Sequence, residues 1–246
     1  MAIKPILFNT EMVQAILDGR KTCTRRIIKP QPKGRLCYTC AGANNGSWGY
    51  PPKTAYEYWG DEYRLPDVIT NKELNRRWKA PYDAEDILYV RETWCEYGDL
   101  NDSDQIIDGT EKYYYRADGE NPTPYNDFLV HRNGFDEHRS FPVWHPSIHM
   151  PKEAARIWLK VTNVRVERLQ EITEVGIQKE GVEADPKECA GKFDFISELF
   201  LLFQRLWDSA IKKSDLDRYG WNANPYVWVI EFERCEKPEE KEASNE

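Results

Sequence analysis

Hydrophobic positions along the chain change their period several times, and each change predicts an element. Ile3 to Phe8 reads as a short opening strand, after which Met12, Val13, Ile16 and Leu17 recur at helical spacing. That spacing predicts a helix over residues 11–18, with Thr10 as N-cap, Glu11 in the first turn and Gly19 just past the end. A second strand runs from about Thr22 to Ile28 and is closed by Pro30 and Pro32. From Asp86 to Trp94 the alternation puts Leu88, Val90, Glu92 and Trp94 on one face and Ile87, Tyr89, Arg91 and Thr93 on the other. Strand character returns at Lys112 to Arg116 and again from Arg156 to Leu169. In the latter, Leu159 and Val161 fall out of phase with Val164 and Val166, which predicts a bulge or bend near Asn163.

A short helix capped by Thr173 and stopped by Gly181 comes next. Phe195, Leu199, Leu202, Phe203, Leu206 and Ala210 then mark one amphipathic helix from about Asp194 to Ile211. The last strand, Tyr226 to Arg234, presents Tyr226, Trp228, Ile230 and Phe232 on one face. Strands at both ends with a few helices between them predict an α+β fold, a barrel of mixed strands with flanking helices.

Two stretches break the periodicity. Residues 31–81 hold Gly34, Gly42, Gly46, Gly49, Pro51 and Pro52 among Trp48, Tyr50, Tyr56, Tyr58, Trp59, Tyr63 and Trp78, too aromatic for a disordered linker, and read as an irregular flap on the barrel. Residues 96–145 are polar and Pro-containing apart from the strand at Lys112. We expect one elaborated domain over 1–236 and a disordered acidic tail over 237–246, where four glutamates face two lysines.

Composition narrows the function classes. A chain of 246 residues with 40% hydrophobic residues can build a sizeable core. No apolar run approaches the length of a membrane span and no leader pattern opens the chain, so the expected setting is the cytoplasm, with no membrane partner. The six cysteines are scattered and read as reduced thiols. A net charge of −8 argues against tight binding to bulk nucleic acid. Yet Arg20, Lys21, Arg25, Arg26 and Lys29 put five positive charges within ten residues.

That basic turn, Gly19-Arg20-Lys21-Thr22-Cys23-Thr24-Arg25-Arg26, carries the chemistry. At its simplest, Arg20 and Lys21 complement the negative end of the preceding helix. The turn also resembles the G-x-K-x-x-T-x-R signature of the ASCH family, a branch of the PUA-like superfamily of small β-barrels associated with RNA. Further segments resemble the large ASCH-type proteins of bacteriophages and prophages: Lys4–Phe8, Asp86–Trp94, Pro146–Pro151 and Trp228–Phe232. Against minimal ASCH domains, residues 31–81 and 96–145 are insertions. The resemblance implies recognition of a nucleoside or single-stranded RNA without a cofactor. Small bacterial relatives deacetylate N4-acetylcytidine with a lysine, a threonine and a glutamate, which fall here on Lys21, Thr24 and Glu180.

In that scheme Lys21 takes the Thr24 proton, Thr24 attacks the acetyl carbonyl, backbone amides or Arg26 hold the oxyanion, Glu180 protonates the departing amine, and water then hydrolyses the acyl-enzyme. Glu180 sits at a helix end, where the dipole disfavours negative charge; it also reads simply as a solvated helix residue. Lys21 and Thr24 are three apart, so a regular strand would separate them, and the scheme needs the turn after Gly19 to reunite them.

Other candidates remain open in the same way. Arg91, Glu92 and Trp94 suit hydrogen bonding to and stacking on a flat base, or Glu92 pairs with a core arginine. His149 and Arg156 could hold a phosphate or tie a loop, and Arg20 and Arg26 add cations for the same ligand. Cys37-x-x-Cys40 has the spacing of half a zinc site, with His145 and His149 or His131 and His138 to complete it, but a second cysteine pair is missing and no metal is expected. Three function classes therefore stand: a hydrolase of an acylated cytidine, a non-catalytic reader of RNA or a modified base, and a contact protein in phage assembly. The sequence leaves the oligomeric state undetermined.

Overall fold

The computed structural model describes residues 1–39, 46–51, 70–99, 101, 107–119, 143–184 and 195–239. Nine strands are found there: β1 (Ile3–Leu7), β2 (Cys23–Ile27), β3 (Cys37–Thr39), β4 (Ser47–Gly49), β5 (Ile87–Arg91), β6 (Trp94–Tyr97), β7 (Lys112–Tyr115), β8 (Trp158–Arg168) and β9 (Tyr226–Cys235). The helices are α1 (Thr10–Leu17), α2 (Asn71–Leu74), α3 (Glu174–Lys179), α4 (Phe195–Ser209) and α5 (Leu216–Tyr219). The long strands are hydrogen-bonded in the order β1-β5-β8-β9-β2. The α+β expectation therefore holds as a mixed five-stranded sheet with a few helices. Among the described residues that ladder ends at β1 and β2, so it is an open sheet where the sequence predicted a barrel.

The chain divides into two compact units, each assembled from separated segments. The first comprises Lys21–Asp86 and Val161–Glu233, with Met1. Here β2 runs antiparallel to β9, pairing Cys23 with Glu231, Thr24 with Ile230, Arg25 with Val229 and Arg26 with Trp228. All five residues from Tyr226 to Ile230 are buried, so both faces of β9 are covered, as its near-continuous apolar run implies. On one face, Cys23, Val227 and Val229 join Leu169 and Ile172 from the turn before α3, Ile177 of α3, and Leu199 and Phe203 of α4 in one core. The described part of the expected flap packs within this unit. Trp48 meets the edge of Trp228 at 5.6 Å, and Trp78 donates to the Pro30 carbonyl at 2.8 Å. Tyr56, Tyr58, Trp59 and Tyr63 lie outside the described residues.

The second unit comprises Ala2–Arg20, Ile87–Lys160 and Arg234–Glu246. β1 is parallel to β5, from Ile3 opposite Ile87 to Leu7 opposite Arg91, and β5 is antiparallel to the start of β8. Met150, Ala154, Trp158 and Ile87 form its core. The N-cap of α1 is Asn9, not Thr10: its side chain accepts from the Met12 N–H at 2.9 Å, and Thr10 is already helical. Both residue types cap well, and the position with extended backbone takes the role.

Two further expectations change. The strand predicted over Asp86–Trp94 stops at Arg91, and Trp94 opens β6, which pairs with β7 in a separate two-stranded sheet. Around Asn163, β8 stays unbroken, with Thr162 and Asn163 both exposed where the apolar phase changes.

Candidate functional site

Glu180 is delivered by the way α3 is built. Thr173 caps the helix, its hydroxyl accepting from the Gly176 N–H at 3.1 Å, and Gly181, at φ 86°, takes the left-handed conformation that ends it. Thr173→Ala should lower stability by about 1 kcal/mol, read as a small drop in thermal midpoint, because one helix-end N–H loses its acceptor. Just before Gly181, residue 180 forms an isolated antiparallel bridge with Lys21, and the Thr22 N–H donates to the Lys179 carbonyl at 2.9 Å.

Lys21 is thereby placed at the end of α3. Its ammonium donates to the Glu180 carboxylate Oε2 at 2.7 Å and to the Glu180 carbonyl at 2.9 Å. The lysine side chain has 0% exposure and the glutamate 6%. A cation therefore satisfies a helix C-terminal carbonyl and the negative end of a dipole. The simplest reading of the basic turn is realised on a different helix from the one that precedes it. Arg20 pairs with Asp18 at 2.8 Å on the surface of the other unit.

Arg25 completes the cluster. Its Nη1 donates to Glu180 Oε1 at 3.2 Å and its Nη2 to Glu167 Oε2 at 3.3 Å. Glu167 also accepts from Arg165, which reaches Glu231 at 2.9 Å, and Lys179 lies 3.6 Å from the same Glu231 oxygen. The result is a chain of alternating charges running from the core to the surface. Lys21, Arg25 and Glu180 form its buried end. Arg165 and Lys179 hold the Glu231 carboxyl below the usual carboxylate range, against the opposing effect of burial.

Thr24 is buried in β2 opposite Ile230, whereas Arg25 and Cys23 stand opposite Val229 and Glu231. Alternation thus turns Thr24 to the other face of the strand. No hydrogen bond links its hydroxyl to Lys21 or Glu180 among the described residues. The turn after Gly19 brings Lys21 to Glu180 but does not reunite Lys21 with Thr24. Arg26 shares the Thr24 face, opposite Trp228. The Cys23 thiol is pushed up to about 12, first by burial and then by the Glu180 charge, so it stays neutral and supplies no nucleophile.

In the second unit, the group expected to bind a base is mostly occupied internally. Arg91 donates to the carbonyls of Met150 (2.9 Å) and Ile148, fixing the loop there. Glu92, 1% exposed, accepts both arms of Arg156 at 3.0 Å, and Arg156 also reaches Asp118 at 2.8 Å while lying 3.9 Å over the Tyr115 ring. The core-arginine alternative for Glu92 is the one realised, and Arg156 is the arginine.

Burial pushes the Glu92 carboxyl up even beside this cation; burial opposes the charge on Arg156, but its two carboxylates outweigh it and hold it more basic. The Tyr115 phenol, raised to about 12 mainly by burial, donates to the Ala154 carbonyl at 2.6 Å. Trp94 is held differently: Tyr113 and His145 flank it at 5.7 and 5.1 Å, and its indole N–H is buried without an acceptor. His149 is exposed in a 3-10 turn.

Cys37 donates to the Gly49 carbonyl at 3.5 Å, with its thiol raised mainly by burial. Cys40, His131 and His138 lie outside the described residues, and no group of three or more metal-type ligands occurs among those described.

Sequence reasoning paired Lys21 with Glu180 and counted Arg25 only among the charges of the basic turn, and it passed over Glu167. One signal was present: Gly176 inside a helix, where glycine weakens the element and marks a close approach. The fold and site define an α+β chain with a buried lysine–glutamate–arginine cluster at a strand–helix junction. Comparison with family models, curated proteins and solved structures finds no match for this chain.

Proposed function

We propose that the chain is an ASCH-type protein of the PUA-like superfamily that recognises a nucleoside, as such or within single-stranded RNA, and hydrolyses the amide of an acylated cytidine. The observation that carries this reading is the buried contact of 2.7 Å between Lys21 Nζ and Glu180 Oε2, two residues 159 positions apart that the resemblance had paired for chemistry. The orientation of Thr24 favours water as the attacking group. Glu180 takes a proton from that water as its oxygen bonds to the acetyl carbon. Lys21 keeps the carboxylate oriented and offsets the charge that develops on the acetyl oxygen. Glu180 then returns the proton to the exocyclic amine as the C–N bond breaks, leaving acetate and cytidine.

One observation favours a second reading, a non-catalytic reader of a modified base. The complete burial of the Lys21 side chain suits a structural tie to α3 as well as a catalytic group. Incubation with N4-acetylcytidine separates the two. The hydrolase reading expects turnover by wild type, a loss of about 10²- to 10⁴-fold in Lys21→Ala and retained activity in Thr24→Ala. Binding without turnover supports the reader, and neither binding nor turnover removes both.

A further inference from the structure

Arg25 lies outside the catalytic set implied by the resemblance, yet the Glu180 carboxylate is held between two cations. Lys21 takes Oε2 at 2.7 Å, and Arg25 takes Oε1 at 3.2 Å. We propose that Arg25 is the positioning residue of the pair: it fixes the carboxylate plane of Glu180 so that Oε2 faces the Lys21 ammonium, and Gly176 is the position that admits its guanidinium. The proposal rests on the hydrolytic reading above, which gives the orientation of Glu180 its purpose.

Three features separate this role from simple charge compensation. First, each carboxylate that Arg25 touches has another cation: Glu180 has Lys21, and Glu167 has Arg165. Removing Arg25 therefore strands no buried anion, and as a source of positive charge it is redundant. As the donor to Oε1 it has no substitute among the described residues.

Second, the Arg25 side chain is 2% exposed and its Nε–H is buried without an acceptor. An orphaned donor works against folding, so stability alone does not account for a guanidinium here. Third, the guanidinium runs across α3 at the one glycine of that helix. A Cβ at residue 176 would stand 3.2 Å from Arg25 Nη2 and 3.1 Å from Ile172 Cγ1. Those separations are tighter than ordinary contacts, so a side chain there would displace the guanidinium by a few tenths of an ångström. A helix-weakening residue is thus kept where the arginine needs space.

The network also explains how the position is maintained. Glu167 grips Arg25 from β8 while Arg165 holds Glu167 and reaches Glu231 on β9. Lys179, the residue before Glu180, approaches that same Glu231. Both ends of the pair are consequently referred to the β8–β9 framework, the kind of supporting shell that a group needing fixed geometry requires.

The test uses the full chain as wild type, Arg25→Met, Arg25→Lys and Gly176→Ala. With N4-acetylcytidine, Arg25→Met should lower kcat by roughly 10- to 100-fold with KM within about twofold, since a misplaced group loses rate before it loses binding. Arg25→Lys retains charge without the two-armed grip and should recover only part of the rate.

A second arm needs no turnover. Proton exchange at the Lys21 ammonium, followed by ¹⁵N NMR, should accelerate at least about tenfold in Arg25→Met, while the thermal midpoint stays close to wild type. Unchanged kcat and ammonium exchange in Arg25→Met would overturn the proposal. Should wild type show no turnover, the hydrolytic reading fails on that result, while faster ammonium exchange in Arg25→Met still supports the positioning contact and unchanged exchange overturns it. Should Arg25→Met fail to fold, Gly176→Ala carries both arms by crowding the guanidinium in place.

Discussion

Glu180→Leu should lower the unfolding free energy by about 3–5 kcal/mol, because it leaves a lysine with no side-chain exposure beside a buried arginine and removes the carboxylate between them. In a chain of 246 residues that corresponds to a fall of roughly 6–20 °C in thermal midpoint. Arg25 keeps Glu167, so most of the cost falls on Lys21, whose carboxylate at 2.7 Å is lost.

The double variant Lys21→Met/Glu180→Leu should regain most of the lost stability, since apolar groups of similar volume often replace a buried ion pair at little cost. The two side chains touch, so their effects are coupled, and a double-mutant cycle by thermal and urea denaturation measures that coupling. A single variant within about 0.5 kcal/mol of wild type would contradict the description of Lys21 and Glu180 as a buried pair.

Arg156→Met should be comparably damaging near neutral pH, by about 3–5 kcal/mol, and its deficit should shrink in acid. Glu92 loses both of its 3.0 Å contacts and stays buried as an anion. Burial already raises its carboxyl while Arg156 is present. A carboxyl raised in the folded state holds its proton at pH values where the unfolded chain has released it. Stability therefore declines as pH rises from the ordinary carboxylate range through the raised value, and recovers below it.

Removing the cation widens that window, so Arg156→Met should be closer to wild type at about pH 5 than at about pH 7. Adding Glu92→Gln should flatten the difference. Urea midpoints across that range measure it, and a deficit independent of pH would contradict the assignment to Glu92.

How far the sequence exposed this molecule depends on the range of each interaction. Thr173 and Gly181 bound α3 through hydrogen bonding and backbone conformation within a few residues, and both were legible. The apolar run of β9 was equally clear as a strand. Local pattern failed where tertiary pairing decided the outcome. Nothing in the alternation from Asp86 to Trp94 reveals that Arg91 ends one sheet and Trp94 opens another. The two possible caps Asn9 and Thr10 are adjacent and chemically alike, so type alone could not choose between them.

Within the site, the turning of Thr24 away from the face of Cys23 and Arg25 was foreseeable from strand alternation, and pairing along β2 and β9 realises it. The Lys21–Glu180 pair was reached through resemblance; periodicity does not contain it. Arg25 and Glu167 lie 142 residues apart, and their meeting follows from the strand order β8-β9-β2.

The most direct measurement is the release of cytidine and acetate from N4-acetylcytidine by the intact wild-type chain and by Glu180→Gln, followed chromatographically near neutral pH. Equal amounts of the two products are expected, with many turnovers per wild-type protein molecule and a rate lower by about 10²-fold or more in the variant. No release by wild type, or equal release by both proteins, would contradict the hydrolytic reading.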